Sequence, residues 1–516
     1  MRSNNRQLGI NMVASVISYF VSYAISFFIT PYIVRELGVA AYGFVGLSTQ
    51  IIGYSSLVTI SLNSMAGRFV TIEYHKGNIE KANSYYSSVF YGNCIISLFL
   101  LLISFAFVIY LDNILNIPEE LIVDVKMLFA FLAFNTILAL ITNVYATATF
   151  IKNRLDYSNI RDVIGNFIRA GVLILLFALL APKVWYFGFT GLVTTVYVSF
   201  TNYRFALKFT PELHIKRSYY DFSRIKELIA SGVWNLITKL SALLENGFNL
   251  LIANLFVGAE LAGTYALSAT IPTMINSICA RMANNFAPTW TQLYALNDKE
   301  SLKNEILKSI RIMGFLTSIP ISLFVILGKD LYNLWVPTQD ANLLYWLSVV
   351  GSFVMVVAMP LEPLWNIFTI ANKVKKTSIN LLEWSIAIFA CVILGMFITE
   401  HPLVRLFIIA SVRSVLASIR TLTFLPLYGA KCFDYNKTIF YPAILKNSLC
   451  IGVIILLNTF MLIFDFQTSW TVLIFKAIVV TTIGVICNWF ISLNSNDRTY
   501  MKDLISKKFI FKTIAI

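Results

Sequence analysis

The sequence predicts an all-α polytopic membrane protein with about fourteen transmembrane helices, arranged as two six-helix lobes followed by two further helices. Three observations predict this class: a hydrophobic content of 58% with a mean hydropathy of +0.74, a succession of long apolar runs, and an internal repeat. Soluble domains are about 45–50% apolar and about 25% charged, whereas only 13% of this chain is charged.

Fourteen apolar runs are separated by Pro, Gly and charge clusters. About 20 residues are needed to cross the ~30 Å hydrocarbon layer, and each run reaches that length. The predicted spans are 8–29, 40–62, 85–110, 125–149, 160–181, 185–207, 228–255, 262–286, 306–327, 342–370, 377–399, 403–427, 441–464 and 470–493. The loops between them are too short to hold a soluble domain.

The basic residues predict the orientation of these spans. With the N-terminus in the cytoplasm, only five Lys or Arg residues fall on the exterior side: Arg35, Lys126, Lys183, Lys329 and Arg405. Most of the other 35 of the 40 lie in loops on the opposite side, and six lie inside spans. Because cytoplasmic loops are enriched in Lys and Arg, we expect both termini in the cytoplasm of a bacterial cell, with the spans in its inner (plasma) membrane. This bias also explains the net charge of +14 without invoking nucleic acid.

The chain contains two copies of one unit. Gly38 aligns with Gly258 and Gly43 with Gly263 at an offset of 220, MAGRF from Met65 aligns with MANNF from Met282, and KNRLDYSNI (152–160) aligns with ANKVKKTSI (371–379). The predicted domains are therefore 1–220, 221–440 and 441–516. Each copy has an even number of spans, so an axis along the membrane normal relates the two, and the cavity between such halves is where a transporter binds its substrate.

Polar residues form a stripe on the predicted seventh span. On an ideal helix Asn235, Lys239, Asn246 and Asn249 lie within about 80° of one another, while Glu245 lies on another face. A lysine near mid-membrane among asparagines is typical of a helix that lines a wet cavity attracting anions. The alternative is that the asparagines join helices and Lys239 pairs with a carboxylate.

Other charged residues inside spans have two interpretations each. Arg281 on the eighth span and Arg169 on the fifth either line the cavity or extend to lipid headgroups. Glu362 lies between Pro360 and Pro363, where a helix must lose backbone hydrogen bonds, and is a candidate coupling carboxylate together with Glu245.

Two further charged positions predict structural roles. Glu383 and Arg413 are candidates for a structural ion pair between the eleventh and twelfth spans, and Lys476 is predicted to extend to the headgroups. The six cysteines show no metal-ligand spacing, and the chain has no phosphate-cradling glycine loop and no hydrolase constellation. We therefore expect no metal, no cofactor and no enzymatic activity.

Several stretches resemble one known family. A first span ending at Pro31, followed by LGVAAYGFVGLS (37–48) and MAGRFVTIEYHKGNIEKAN (65–83), is similar to the polysaccharide-transporter, O-antigen flippase-like branch of the multidrug/oligosaccharidyl-lipid/polysaccharide exporter superfamily. ATFIKNRLDYS at the end of the fourth span and FTIANKVKKTS at the end of the tenth resemble that branch too.

The resemblance implies a V-shaped two-lobed bundle that alternates between inward-open and outward-open states. The implied cargo is an undecaprenyl-diphosphate-linked oligosaccharide for O-antigen, capsule or exopolysaccharide, with a polymerase and glycosyltransferases as partners. The cationic lumen of this branch accords with Lys239 and Arg281. Related lipid II flippases carry arginines in the first span, whereas this chain has none between Arg6 and Arg35, so that part of a diphosphate site does not carry over.

Two other functions compete with the flippase. A cation-coupled multidrug antiporter of the same fold would favour acidic cavity residues, yet the spans hold six bases against about three carboxylates. A membrane-embedded glycosyltransferase or polymerase would need a large exterior loop or an acidic catalytic motif, and the sequence has neither.

Overall fold

A computed structural model describes the backbone of residues 2–462 and 468–499. The chain forms two compact units, one of Met1–Leu267 with Ser378–Leu406 and one of Ser268–Thr377 with Phe407–Ile516. The last residues of the predicted thirteenth span, 463–464, and the part of the predicted domain 441–516 from residue 500 onward lie outside the described residues.

Every regular element in the described ranges is helical. The helices up to residue 257 are α1 Arg2–Gly53, α2 Ser56–His75, α3 Ile79–Ile109, α4 Leu111–Ile114, α5 Ile122–Thr142, α6 Thr147–Ile151, α7 Leu155–Leu179, α8 Tyr186–Phe209, α9 Phe222–Ala242 and α10 Asn249–Val257. The later helices are α11 Ala259–Ala283, α12 Ala287–Ala295, α13 Lys299–Trp335, α14 Ala341–Ser352, α15 Met355–Leu361, α16 Trp365–Ile370, α17 Val374–Ile398, α18 Pro402–Cys432, α19 Tyr441–Asn458 and α20 Trp470–Ile491.

Ten helical segments in the described part of the chain are long and apolar enough to cross a membrane, or eleven if the pair α14 and α15–α16, bent by 45°, is one span. The count of fourteen is therefore not reached by length and hydropathy alone. The predicted spans 40–62, 185–207 and 262–286 fall on α1–α2, α8 and α11, which carry more polar residues. Polar faces of this kind are tolerated in a membrane when they face protein or water.

The backbone repeats at the offset found in the sequence. Left-handed conformations recur in three pairs: Gly38 with Gly258, Gly77 with Asn297, and Asn153 with Asn372. Gly38 and Gly258 share closely similar angles, φ 84° and ψ 164° against φ 107° and ψ 168°. Because left-handed φ is adopted readily only by Gly and, less often, Asn, these positions break the helices at equivalent points in both copies.

In the first unit, α2 packs along α9 and α3. Gly232 of α9 lies against the backbone carbonyl of Ser61, where a Cβ would collide with the oxygen. Leu62 of α2 and Leu228 of α9 are buried in one apolar cluster beside this crossing. A small residue at the crossing lets two backbones approach closely, as in other membrane helix pairs.

In the second unit, α13 is the central helix, and α19 and α20 pack against it. Gly314 of α13 lies directly against the Asn447 amide of α19. Lys476 of α20 donates to Asp330 over 2.9 Å and is only 7% exposed, so the prediction that it extends to lipid headgroups is wrong. A lysine this deep is stabilised by the carboxylate beside it.

Apolar side chains cover the outer faces of the bundle helices. On α3, Leu98, Leu102 and Phe105 are each at least half exposed and recur at helical spacing. A protein in water would bury such a stripe, whereas lipid tails solvate it. The arrangement therefore fits a membrane as the surrounding solvent.

The contact-defined units group the helices differently from the predicted domains. Helices α9 and α10, which follow residue 220, belong to the first unit, as do residues 378–406. Packing between α9 and α2 accounts for much of this grouping. The division at residues 220 and 440 describes the sequence repeat and stays a prediction as a division into lobes.

Candidate functional site

The α9–α10 span positions the polar residues singled out by the sequence. Helix α9 begins at the N-cap Asp221, whose carboxylate accepts from the Ser223 N–H at 2.8 Å. Asn235 donates to the Ser64 hydroxyl of α2 at 3.1 Å. Lys239, one turn further on, is half-buried and makes no ion pair or hydrogen bond within the described part of the chain. The cation thus has no protein counter-ion there, which leaves it able to bind an anion.

A π-helical turn, Leu243–Gly247, interrupts this span and changes the register of the polar stripe. Beyond it, Asn246 is exposed, whereas Asn249 is 5% exposed and donates to the Glu245 carbonyl at 3.4 Å. The helical projection that placed Asn246 and Asn249 on the same face as Lys239 assumed a continuous α-helix. The π turn holds more residues than an α-helical turn, so that projection does not apply beyond it. π turns of this kind occur frequently at functional sites.

Tyr54 stabilises the π turn through a hydrogen bond. It lies between α1 and α2, and its hydroxyl donates to the Gly247 carbonyl at 2.6 Å. Its ring lies 4.9 Å from that of Phe248, which in turn contacts Phe389 of α17 at 5.4 Å. Nothing in the sequence predicts this role of Tyr54, since only the Asn246–Gly247 dipeptide indicates irregular backbone there.

Three asparagines of the first unit form a connected hydrogen-bond network that the sequence also did not reveal. Asn63 of α2 and Asn93 of α3 exchange amide hydrogen bonds at 2.9 and 3.0 Å. Asn93 is fully buried and also donates to the Leu140 carbonyl at 3.0 Å. Asn143, which begins a 3₁₀ turn after α5, donates to Asn63 at 3.1 Å.

The two candidate arginines occupy exposed positions. Arg169 is exposed on α7 and makes no ion pair or hydrogen bond among the described residues. Arg281 is exposed in the last turn of α11, in the second unit. Both the cavity and the headgroup interpretations are therefore open for these residues.

Glu362 lies where the two prolines predict a helix break. Residues Glu362–Leu364 form a 3₁₀ turn between α15 and α16, and Glu362 is half-buried without a hydrogen bond among the described residues. One turn on, Asn366 donates to the Ala283 carbonyl of α11 at 3.5 Å. Glu245, the other candidate carboxylate, is 8% exposed within the π turn.

Glu383 and Arg413 lie in different units. Glu383 is exposed on α17, and Arg413 is half-buried on α18 with a buried Nε that has no hydrogen-bond partner in the described part of the chain. Their ion pair stays a prediction. Among the described residues there is no cluster of three or more metal-ligating side chains.

Sequence comparison places the chain among known proteins. The family described as "Polysaccharide biosynthesis protein" matches residues 32–333. The chain is 30% identical over 437 residues to the uncharacterized membrane protein EpsK of Bacillus subtilis (strain 168), covering 84% of this chain and 86% of EpsK.

Two groups of solved structures share the fold. The lipid II flippase MurJ, in an inward closed conformation, matches 96% of this chain and 99% of its own with a TM-score of 0.65 at 12% identity. A multidrug resistance MATE family transporter of the MOP superfamily, in its inward-facing conformation, matches 83% of this chain and 98% of its own with a TM-score of 0.63 at 15% identity. At these identities the likeness shows the fold alone.

Proposed function

The chain belongs to the polysaccharide biosynthesis protein family, a flippase-like branch of the multidrug/oligosaccharidyl-lipid/polysaccharide exporter superfamily, and we propose that it flips a polyprenyl-diphosphate-linked oligosaccharide. The cargo would move from the cytoplasmic to the outer leaflet by alternating access, for the synthesis of an O-antigen, capsule or exopolysaccharide. The protein acts as a transporter in this proposal, and no step in it makes or breaks a covalent bond.

The observation that carries the proposal is the position of Lys239 inside a span without a counter-ion among the described residues. It lies within the span Phe222–Val257, half-buried and without a carboxylate partner in the described part of the chain. A charge in a span is unfavourable by roughly 2.5–3.5 kcal/mol on insertion scales, so it is retained where it faces water or a ligand. A diphosphate supplies the missing negative charge through charge-assisted hydrogen bonds.

Other polar residues extend this site in the proposal. Arg169 of the first unit would add positive charge for the diphosphate, and Arg281 is a separate basic candidate of the second unit. Asn235, Asn246 and Asn249 would serve the sugars. The polyprenyl tail would stay in the bilayer, against the apolar outer faces of the helices. Both termini would lie in the cytoplasm, on the side where the lipid-linked precursor is assembled.

The return of the transporter to its starting state would be coupled to an ion through a carboxylate. Glu362 suits this role because it is half-buried at a helix break and makes no hydrogen bond among the described residues. A carboxylate in such a place can bind and release a proton or a cation as the surrounding helices move. Glu245, buried in the π turn, is the second candidate. The same carboxylates would serve a cation-coupled multidrug antiporter, which is the competing function.

Deletion of the gene followed by lipid analysis tests the proposal. Loss of the flippase predicts accumulation of completed lipid-linked oligosaccharide on the cytoplasmic leaflet and loss of the surface glycan. Restoration of both by the wild-type chain is the control. Unchanged surface glycan together with altered drug tolerance would overturn the flippase and support the antiporter. Co-purification with a polymerase or glycosyltransferases would test the proposed partners separately.

A further inference from the structure

The asparagine network of the first unit reaches the protein surface at a set of polar side chains. Asn143 is exposed and donates to the side-chain oxygen Oδ1 of Asn63. The next residue of α2, Ser64, is also exposed and accepts from Asn235 of α9. We call these four residues, Asn63, Ser64, Asn143 and Asn235, the amide patch.

Buried contacts hold the amide patch in place. Asn93, with no exposed surface, donates to Asn63 and to the Leu140 carbonyl and accepts from Asn63 in return. These bonds determine which terminal atom of the Asn63 carboxamide is the oxygen. That oxygen accepts the hydrogen bond from Asn143 and so orients the Asn143 side chain. Asn93 is a positioning residue, since it would act on any ligand through Asn63.

The exposed Asn143 and the half-buried Asn235 keep unused hydrogen-bonding capacity. No described residue donates to the carboxamide oxygen of Asn143 or to that of Asn235. The hydrogen bonds between the half-buried Asn63 and the buried Asn93 already join α2 to α3, so helix packing does not account for these free oxygens. Together with the Ser64 hydroxyl, these oxygens leave the patch able to accept hydrogen bonds from a ligand.

The position of the patch excludes lipid as its solvent. Asn235 lies seven residues past the predicted start of its span at residue 228, about 10 Å along the helix at 1.5 Å per residue. A polar group without a hydrogen-bond partner is strongly unfavourable in hydrocarbon. The patch must therefore face water or a polar ligand.

We propose that the amide patch binds the hydroxyl groups of the glycan carried by the substrate, an inference that rests on the proposed flippase function. The patch contains no charged side chain, and neutral amides that both donate and accept suit neutral polyhydroxylated ligands. Lys239 lies one helical turn from Asn235, about 6 Å along α9. A diphosphate bound at Lys239 would therefore place its first sugars beside the patch.

Two members of the amide patch, Ser64 and Asn143, have charged counterparts in the second copy of the repeat. The position equivalent to Asn143 in the second copy is Glu362, and each begins a 3₁₀ turn. The position equivalent to Ser64 is Arg281. At these two positions the first copy thus has neutral side chains where the second has charged ones, so the patch is not repeated there.

Binding to two lipids tests the subsite. The full chain in lipid nanodiscs is titrated with undecaprenyl diphosphate lacking sugar and with the lipid-linked oligosaccharide extracted from the deletion strain. We expect Asn143→Leu to weaken affinity for the glycan-bearing lipid roughly tenfold, as for the loss of one or two hydrogen bonds, and to leave affinity for the sugar-free lipid unchanged. Asn304→Leu, at an exposed asparagine of α13 outside the patch, is the matched control and should change neither affinity.

The outcomes separate the subsite from the function on which it rests. Equal weakening of both lipids by Asn143→Leu, or no weakening of either, would overturn the glycan subsite while the flippase stands. Failure of the wild-type chain to bind either lipid would overturn the flippase and the subsite together. If Lys239→Ala binds sugar-free lipid normally while Asn143→Leu still discriminates, the role of Lys239 fails and the subsite is supported.

Discussion

Gly43 and Gly263 lie directly against each other, so closely that a Cβ on Gly43 would be 2.7 Å from the Gly263 Cα. The two glycines occupy equivalent positions in the two copies of the repeat. A contact between equivalent positions is what a two-fold relation between copies produces, because such an interface pairs each surface with itself. The sequence repeat therefore has a physical counterpart at this crossing.

Replacement of Gly263 by alanine is expected to destabilise this crossing. The new Cβ would collide with the backbone carbonyl of Val39, which cannot move as a flexible side chain can. Overpacking of this kind costs about 1–3 kcal/mol and should lower the melting temperature of the purified protein. Gly452→Ala, on α19 with nothing within 4 Å of its Cβ position, is the control and should leave the melting temperature unchanged or slightly raised. A Gly263→Ala protein as stable as the wild type would contradict the close approach.

Local features could be read from the sequence because their causes lie within a few residues. Gly38 and Gly258 break helices as their left-handed angles require, and the prolines around Glu362 produce a 3₁₀ turn. The apolar runs likewise placed the helices, since span length depends only on composition and bilayer thickness. These features needed no knowledge of distant partners.

Long-range partners could not be read from the sequence. Asp330 and Lys476 are 146 residues apart, and a solitary lysine in a span gives no sign of a carboxylate on another helix. Asn93 joins Asn63 and Leu140 across three elements, so its role appears only when those helices are packed. The π turn at Leu243–Gly247 shifted the register of the stripe near Lys239, and the Asn246–Gly247 dipeptide is too weak a signal to specify it.

Removal of the Asp330 carboxylate is expected to destabilise the attachment of α20 to α13. Asp330→Asn leaves the Lys476 ammonium, 7% exposed, without its counter-ion. Loss of one partner of a buried pair costs about 3–5 kcal/mol, although the partial exposure of Asp330 should place the effect at or below the lower end. Thermal unfolding followed by size-exclusion chromatography measures the change.

A double variant distinguishes the ion pair from a general packing defect. Asp330→Leu with Lys476→Met removes both charges and should recover most of the stability, since an apolar pair needs no desolvation of charge. If the double variant is as unstable as Asp330→Asn, the loss of stability comes from altered side-chain packing, and the assigned role of the ion pair is wrong.

Glu73, at the end of α2 outside the predicted spans, should make the stability of the first unit sensitive to acid. The Asn78 amide, and then Lys81 and Lys76, hold the pKa of its carboxyl below the ordinary 4.5, against the opposing effect of burial. A depressed folded-state pKa contributes stability that is fully present above the unfolded-state pKa and is lost as pH falls through the folded-state pKa. The loss should therefore begin near pH 4.5 and continue below it.

Melting temperatures measured from pH 7 down to pH 3 check this expectation. Glu73→Gln should flatten the decline below about pH 5, because the variant has no proton to take up. Asn78→Ala should shift the decline to higher pH, whereas Asn113→Ala, at an exposed asparagine of α4, is the control and should leave the profile unchanged. An identical acid profile for Glu73→Gln and the wild type would show that Glu73 does not contribute.

Lys239→Ala is expected to abolish most export of the surface glycan while the protein remains folded and inserted. The residue is half-buried and contributes no ion pair among the described residues, so its loss should cost little stability. Loss of a charged hydrogen-bond donor to a diphosphate corresponds to about 1.5–3 kcal/mol, or roughly a tenfold to hundredfold loss of affinity. Glycan export is measured on cells with matched protein levels.

Lys239→Arg should retain part of the activity because it keeps the charge, and Lys226→Ala, at an exposed lysine near the start of the same helix, should export normally. Full export by a normally expressed Lys239→Ala protein would remove Lys239 from the site.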